Sequence, residues 1–200
     1  MKVYHELNLP PIPEELLVLD NCEWFKTVKD TGYGNQHTKN GRILTNCAYD
    51  SFRITHQPLR DWLMNTIPGA KEPQLQLQEI IPHGAVGTFT VHSDLKRTCA
   101  LNYIVDTGGD NVVTSWYQGI GKPLRRKMKA GGQQTDDGIV NYDEIELIDS
   151  VVTQKYKWYL MCTDVLHDVD NITRPRKAIS LPYVNLILDY FWDKIFEVEK

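Results

Sequence analysis

"TFTVHSDLKRTCALNYIV", residues Thr88–Val105, decides how the chain is read. Its two ends read as strands: Phe89 and Val91 before, and Cys99, Leu101 and Tyr103 after, alternate among β-branched and aromatic residues. Between them stand His92, Ser93 and Asp94, then Lys96-Arg97. Side chains alternate along a strand, so a histidine and a carboxylate two apart leave the same face. That geometry lets both reach one metal ion. With 6 histidines and 26 acidic residues among 200 positions, a single such pair is also expected by chance.

Working outward, the texture stays β. "QLQLQEII" from Gln74 alternates, and "NVVTSWY", "YKWYLMC" and "RKAISLPYV" follow, with Asp106-Thr-Gly-Gly-Asp110 a strong turn between two of these strands. Short strands separated by turns, without intervening helices, predict a β-sandwich or barrel core of jelly-roll type over 74–184. Residues 1–70 are mixed. "PIPEELLVLDNCEWFKTVK" carries apolar residues at helical spacing, with Glu14 and Glu15 placed to favour a helix start. Asn40-Gly41 suits a tight turn. "HQPLRDWLMNTIPGA" predicts a short helix with Pro58 in its first turn and Leu59, Trp62 and Leu63 inward. Leu186, Ile187, Tyr190, Phe191 and Ile195 predict a closing helix over 185–200. The expectation is one mainly β domain, 1–200, with flanking helices.

Composition sets limits. Apolar content of 42% and charged content of 24% are those of a globular protein. A net charge of −4 argues against nucleic acid or anionic membrane as a partner. No apolar run approaches the ~20 residues that span a bilayer, and the first residues lack the apolar segment of a secretory signal. Cys22, Cys47, Cys99 and Cys162 are scattered and read as reduced thiols. These features together predict a cytoplasmic protein.

A second histidine and an arginine raise the significance of the first pair. His167 follows an apolar strand and a short turn, and Arg174 and Arg176 lead into the next strand. Two imidazoles and one carboxylate on one face of an octahedron leave three open positions, the arrangement of non-haem Fe(II) oxygenases. In that next strand Arg176, Ala178 and Ser180 share a face. A guanidinium facing a barrel interior is costly unless it meets a carboxylate, and its planar fork suits a terminal one.

His92-Ser93-Asp94, His167 and Arg176 thus resemble the iron(II) and 2-oxoglutarate dependent dioxygenase superfamily, whose pattern is HxD…H with an arginine about ten residues on. The resemblance runs from Gln74 to Val184. It implies a double-stranded β-helix (cupin-like) core, with His92, Asp94 and His167 as iron ligands and Arg176 as the partner of the far carboxylate of 2-oxoglutarate. It also points to Asn102 and Ser180 as further cosubstrate-binding residues. Tyr103 and Trp116 become candidates to line the pocket. Arg174 has the same strand parity as Arg176; spacing, and Pro175 between them, favour Arg176. Nucleic-acid demethylases of the superfamily carry a second arginine where this chain has Pro182, and halogenating members lack the carboxylate that Asp94 supplies. Hydroxylation by O2 of a peptidyl residue, an amino acid or a small metabolite, with release of succinate and CO2, is what the resemblance implies.

The segment 118–143 holds Lys122, Arg125, Arg126, Lys127 and Lys129, then Gly131-Gly132. It reads as a solvated loop, or as a lid whose basic arm draws in an anionic substrate. Two other functions fit the same pattern: a cupin-like metal protein that does not use 2-oxoglutarate, and a non-enzymatic jelly-roll interaction module. Only a dicarboxylate cosubstrate requires Arg176.

Overall fold

The computed structural model describes residues 2–28, 38–39, 42–43, 47–67, 70, 75–94, 99–120 and 142–183. Strands dominate: β1 (Tyr4–Leu7), β2 (Cys22–Val28), β3 (Thr38–Lys39), β4 (Arg42–Ile43), β5 (Cys47–Ile54), β6 (Gln76–Pro82), β7 (Gly87–His92), β8 (Cys99–Asp106), β9 (Val113–Gly119), β10 (Ile145–Val152), β11 (Trp158–Cys162), β12 (Leu166–Ile172) and β13 (Arg176–Tyr183). The α-helix among them is α1 (Gln57–Thr66).

Two antiparallel sheets carry the fold, a large one in the order β1-β11-β8-β13-β6-β5-β2 and a small one in the order β10-β9-β12-β7. From β6 onward the chain crosses between them repeatedly, so sequence neighbours rarely pair. Phe89 on β7 stacks on Tyr49 of β5 at 5.5 Å, and Trp116 on β9 stacks on Tyr4 of β1 at 5.3 Å. These two contacts fix which face of each sheet looks at the other. On the large sheet it is the face of Tyr49, Ser51 and Arg53, of Gln76, Gln78 and Ile80, of Ala100, Asn102 and Ile104, and of Arg176, Ala178 and Ser180. On the small sheet it is the face of Trp116, His167 and His92, which stand side by side.

The opposite face of the large sheet is the greasy one. Leu77, Ile179, Leu101, Tyr103 and Leu181 form one buried cluster with Leu59 and Leu63 of α1, and each buried leucine contributes about 1.5–3 kcal/mol. α1 forms where expected, with Pro58 in its first turn and Trp62 half-buried against the same cluster. Tyr103 is 1% exposed within this layer, so it belongs to the core and does not line the space between the sheets.

The N-terminal third differs from its sequence reading. Helical spacing after Pro13 yields only 3-10 turns at Glu14–Leu16 and Leu19–Asn21, and the chain then enters β2. The aromatic and β-branched content of "CEWFKTV" overrides the spacing, because β5 offers an open edge to pair with. β1, β2 and β5 thereby extend the large sheet. Asn40-Gly41 lies outside the described residues, between the paired β3 and β4. The helix expected over 185–200 and the basic segment within 121–141 lie outside them as well.

Gly87 sets the spacing between the sheets. A Cβ there would sit 2.5 Å from the Cys47 sulfur and 2.8 Å from Pro82 Cβ, closer than real side chains approach. Gly87→Ala is therefore expected to destabilise by roughly 1–3 kcal/mol, the ordinary cost of overpacking. A urea midpoint unchanged from wild type would show that β7 can move away freely.

Cys47, Cys99 and Cys162 are buried and form no disulfide among the described residues. Cys99 and Cys162 stand opposite each other on β8 and β11, yet burial and the charge of Asp164 push the Cys99 thiol up to about 12, so little thiolate forms. Among the described residues no helix is long and apolar enough to cross a membrane.

Candidate active site between the two sheets

His92 ends β7 and His167 is the second residue of β12; the two are register partners, and their rings lie 4.3 Å apart. Phe89 packs edge-on against His92 at 4.7 Å. The His167 Nδ1 is 2.8 Å from the Val165 carbonyl, which can only accept. Nδ1 therefore carries the proton, and Nε2 keeps the lone pair that a metal ligand needs. Burial raises the Asp164 carboxyl above its ordinary range, with the nearby His167 pulling the other way.

Asp94 is placed differently from the two imidazoles. β7 stops at His92, so Asp94 sits in the connection beyond the strand, where its backbone N–H donates to the Thr163 carbonyl. Alternation persists through this stretch: Ser93 is buried, while His92 and Asp94 are half-buried. Among the described residues no group of three or more His, Cys, Asp and Glu side chains gathers closely enough to hold a metal ion. The two histidines meet as register partners at the end of β7 and the start of β12.

Arg176 opens β13 on the inward face and is 5% exposed. Its Nη1 donates to the Thr107 carbonyl at 3.2 Å and to Thr153 Oγ1 at 2.9 Å. Gly108, at φ +81°, lets the β8–β9 turn press close: a Cβ there would lie 2.8 Å from Arg176 Cβ. The turn is pinned in turn by Thr173 N–H and Arg174 N–H, which both donate to the Gly108 carbonyl. One edge of the guanidinium is thus gripped, and no carboxylate among the described residues makes an ion pair with it. Burial pushes its pKa down to about 10, with Tyr159 and Asp106 opposing. Arg174 lies outside the strand, exposed, and pairs with Asp106 at 3.4 Å. The strand start separates the two arginines as spacing suggested.

Ser180, 0% exposed, and Asn102 are register partners on the same inward face. Asn102 Nδ2 donates to the Met161 sulfur at 3.4 Å, while Asn102 Oδ1 and Ser180 Oγ are buried with no hydrogen-bond partner among the described residues. A buried polar atom left unmade costs ~1–3 kcal/mol. Both orphan atoms lie on the inward face of the large sheet that also carries Arg176, four residues along β13 from Ser180. Trp116 stands beside His167 on the inward face of the small sheet, fully buried in the core, and its indole N–H donates to the Cys162 carbonyl at 2.8 Å.

Sequence reading missed what holds these groups. Thr107 lies in the turn legible at Asp106–Asp110 but nothing marks it as a partner of Arg176, Thr153 follows β10 with no pattern of its own, and Asp164 carries no signal beyond lying near His167. It also missed Asp168, on the other face of β12. This carboxylate is 0% exposed, and its Oδ2 accepts from Tyr117 at 3.0 Å and from Tyr142 at 2.7 Å. The two tyrosines tie it to a separate apolar cluster of Val91, Tyr117, Ile145 and Leu166, against which Tyr142 packs. No protein-family model and no curated protein sequence matches the chain.

Proposed function

We propose that this chain is an Fe(II)- and 2-oxoglutarate-dependent dioxygenase of the hydroxylase type, built on a double-stranded β-helix. The observation that carries the reading is Arg176: a desolvated guanidinium, clamped on one edge, on the face that looks toward the two histidines. A cupin-like protein without a dicarboxylate has no use for such a group. Strands that alternate between two sheets are compatible with the jelly-roll core. In this reading His92 and His167 hold the iron, with Asp94 as the third ligand that the HxD pattern supplies. Arg176 takes the far carboxylate of 2-oxoglutarate, with Ser180 and Asn102 alongside. Bound iron and 2-oxoglutarate would supply the oxidising chemistry for O2-dependent hydroxylation. The chain's own part is to orient, through the Val165 carbonyl, the nitrogen that His167 presents, and to keep the anion pocket dry.

The test is anaerobic Fe(II) titration followed by succinate formation from 2-oxoglutarate in air. Wild type is expected to take up one iron per chain and to turn over 2-oxoglutarate only when iron is present. His92→Ala and His167→Ala should each lose the iron. Stoichiometric iron in both variants, or metal-independent turnover, would overturn the assignment.

A further inference from the structure

The polar stripe between the sheets extends beyond the proposed cosubstrate site. Asn102 pairs with Ser180, Ser180 with Gln76, and Gln76 with Arg53, so four polar side chains stand side by side across β8, β13, β6 and β5. Gln76 is satisfied on one side, where Ser51 Oγ donates to its Oε1 at 3.2 Å. Arg53 Nε is buried and has no hydrogen-bond partner among the described residues. With strands ~4.8 Å apart, Arg53 lies ~10 Å from Ser180, and Arg176 a further ~13 Å down the face, at ~3.3 Å per residue. One short dicarboxylate held at Arg176 does not occupy both arginines.

Arg53 is at the same end of the fold as the histidines. Gly87 lies against Cys47, and Phe89 stacks on Tyr49, so β5 and β7 advance together. Arg53 is four residues beyond Tyr49, and His92 three beyond Phe89, in the same direction. We propose that Arg53, with the amide of Gln76, is a second anion site, which binds a carboxylate on the molecule brought to the histidine pair. A single guanidinium beside an amide suits a monoanion. A phosphate dianion would need a second cation, and the stripe across these four strands carries none besides Arg53. Naming that ligand as the substrate rests on the proposed function; the site itself rests on the stripe.

Nitrogen-15 labelled full-length protein, without metal or 2-oxoglutarate, tests the site directly. Arginine Nε–H signals would be followed during titration with acetate, chloride or inorganic phosphate at constant ionic strength, with Arg53 identified by the signal lost in Arg53→Lys. Acetate should move the Arg53 signal to saturation, phosphate no more than chloride does, and Arg176→Lys should keep that response. A response no different from chloride, or one that vanishes in Arg176→Lys, would overturn the proposal. So would an Arg53 signal deaf to acetate until Glu23→Gln is introduced, because Glu23 is its register partner on β2. A phosphate-selective response would assign the wrong ligand class. Failure of the iron and succinate assay leaves all these outcomes readable.

Discussion

Arg176→Met is expected to cut 2-oxoglutarate affinity by roughly 30- to 1000-fold, while thermal stability stays within about 1 kcal/mol of wild type. The first figure is the loss of a charge-assisted bidentate contact in a dry pocket, ~2–4 kcal/mol at ~1.4 kcal/mol per decade. The second follows because a buried charge with no carboxylate partner gives the fold little, and an apolar stem of similar length replaces it at near-neutral cost. The hydrogen bonds lost to Thr107 and Thr153 offset the relief of desolvation. Opposite responses of affinity and stability are what separate a binding arginine from a structural one. Arg174→Met should change affinity little, since an exposed pair such as Arg174–Asp106 contributes ~0–1 kcal/mol. Calorimetric titration paired with thermal melts reads all three. Unfolding of Arg176→Met with unaltered binding in the residual folded fraction would make the residue a strut.

Asp168→Ala is expected to be the most destabilising single change considered, at about 3–5 kcal/mol in urea unfolding. The carboxylate is fully buried and receives two phenols, and truncation would leave both hydroxyls without their acceptor, each at ~1–3 kcal/mol. Burial, then the charge of Asp168, already drives the Tyr142 phenol far above its ordinary value, so Tyr142 cannot ionise to escape. Tyr142→Phe removes one donor and keeps the acceptor bonded to Tyr117, so it should cost only ~1 kcal/mol. Equal losses for the two variants would mean that ring packing, not the hydrogen bonds, holds this layer. Because Asp168 follows His167 on β12, the same change should weaken iron uptake in whatever fraction stays folded.

Much of this architecture could be read in advance where side chains alternate. β6, β8, β11 and β13 announced themselves by period, α1 by Pro58 and its apolar positions, and the turn at Asp106 by its glycines. β2 could not be read, since "EELLVLDNCEWF" satisfies a helical template locally and becomes a strand only when β5 offers an edge. The meeting of His92 with His167 was an expectation from residue type, and the pairing of β7 with β12 realises it. The place of Asp94 is harder to read, because β7 ends at His92 and the alternation that persists in burial does not fix how far a carboxylate in the connection reaches. Thr107 sits in a turn that could be read and Thr153 in one that could not, but neither is marked as a partner of Arg176: they matter through the atoms that a distant arginine reaches.

The wiring of the large sheet has a consequence for how the chain acquires its shape. Tyr4 of β1 pairs with Met161 of β11, and Gln76 of β6 with Ser180 of β13. During synthesis β1 therefore has no partner until the chain through β11 has emerged, whereas β6 can pair with β5 at once and gains its second neighbour only with β13. Loop closure over such separations must come before the contacts that reward it, which places the protein among slow folders. Until β11 arrives, β1 is an unpaired strand in a nascent chain, the kind of segment that chaperones shield and that neighbouring copies can capture.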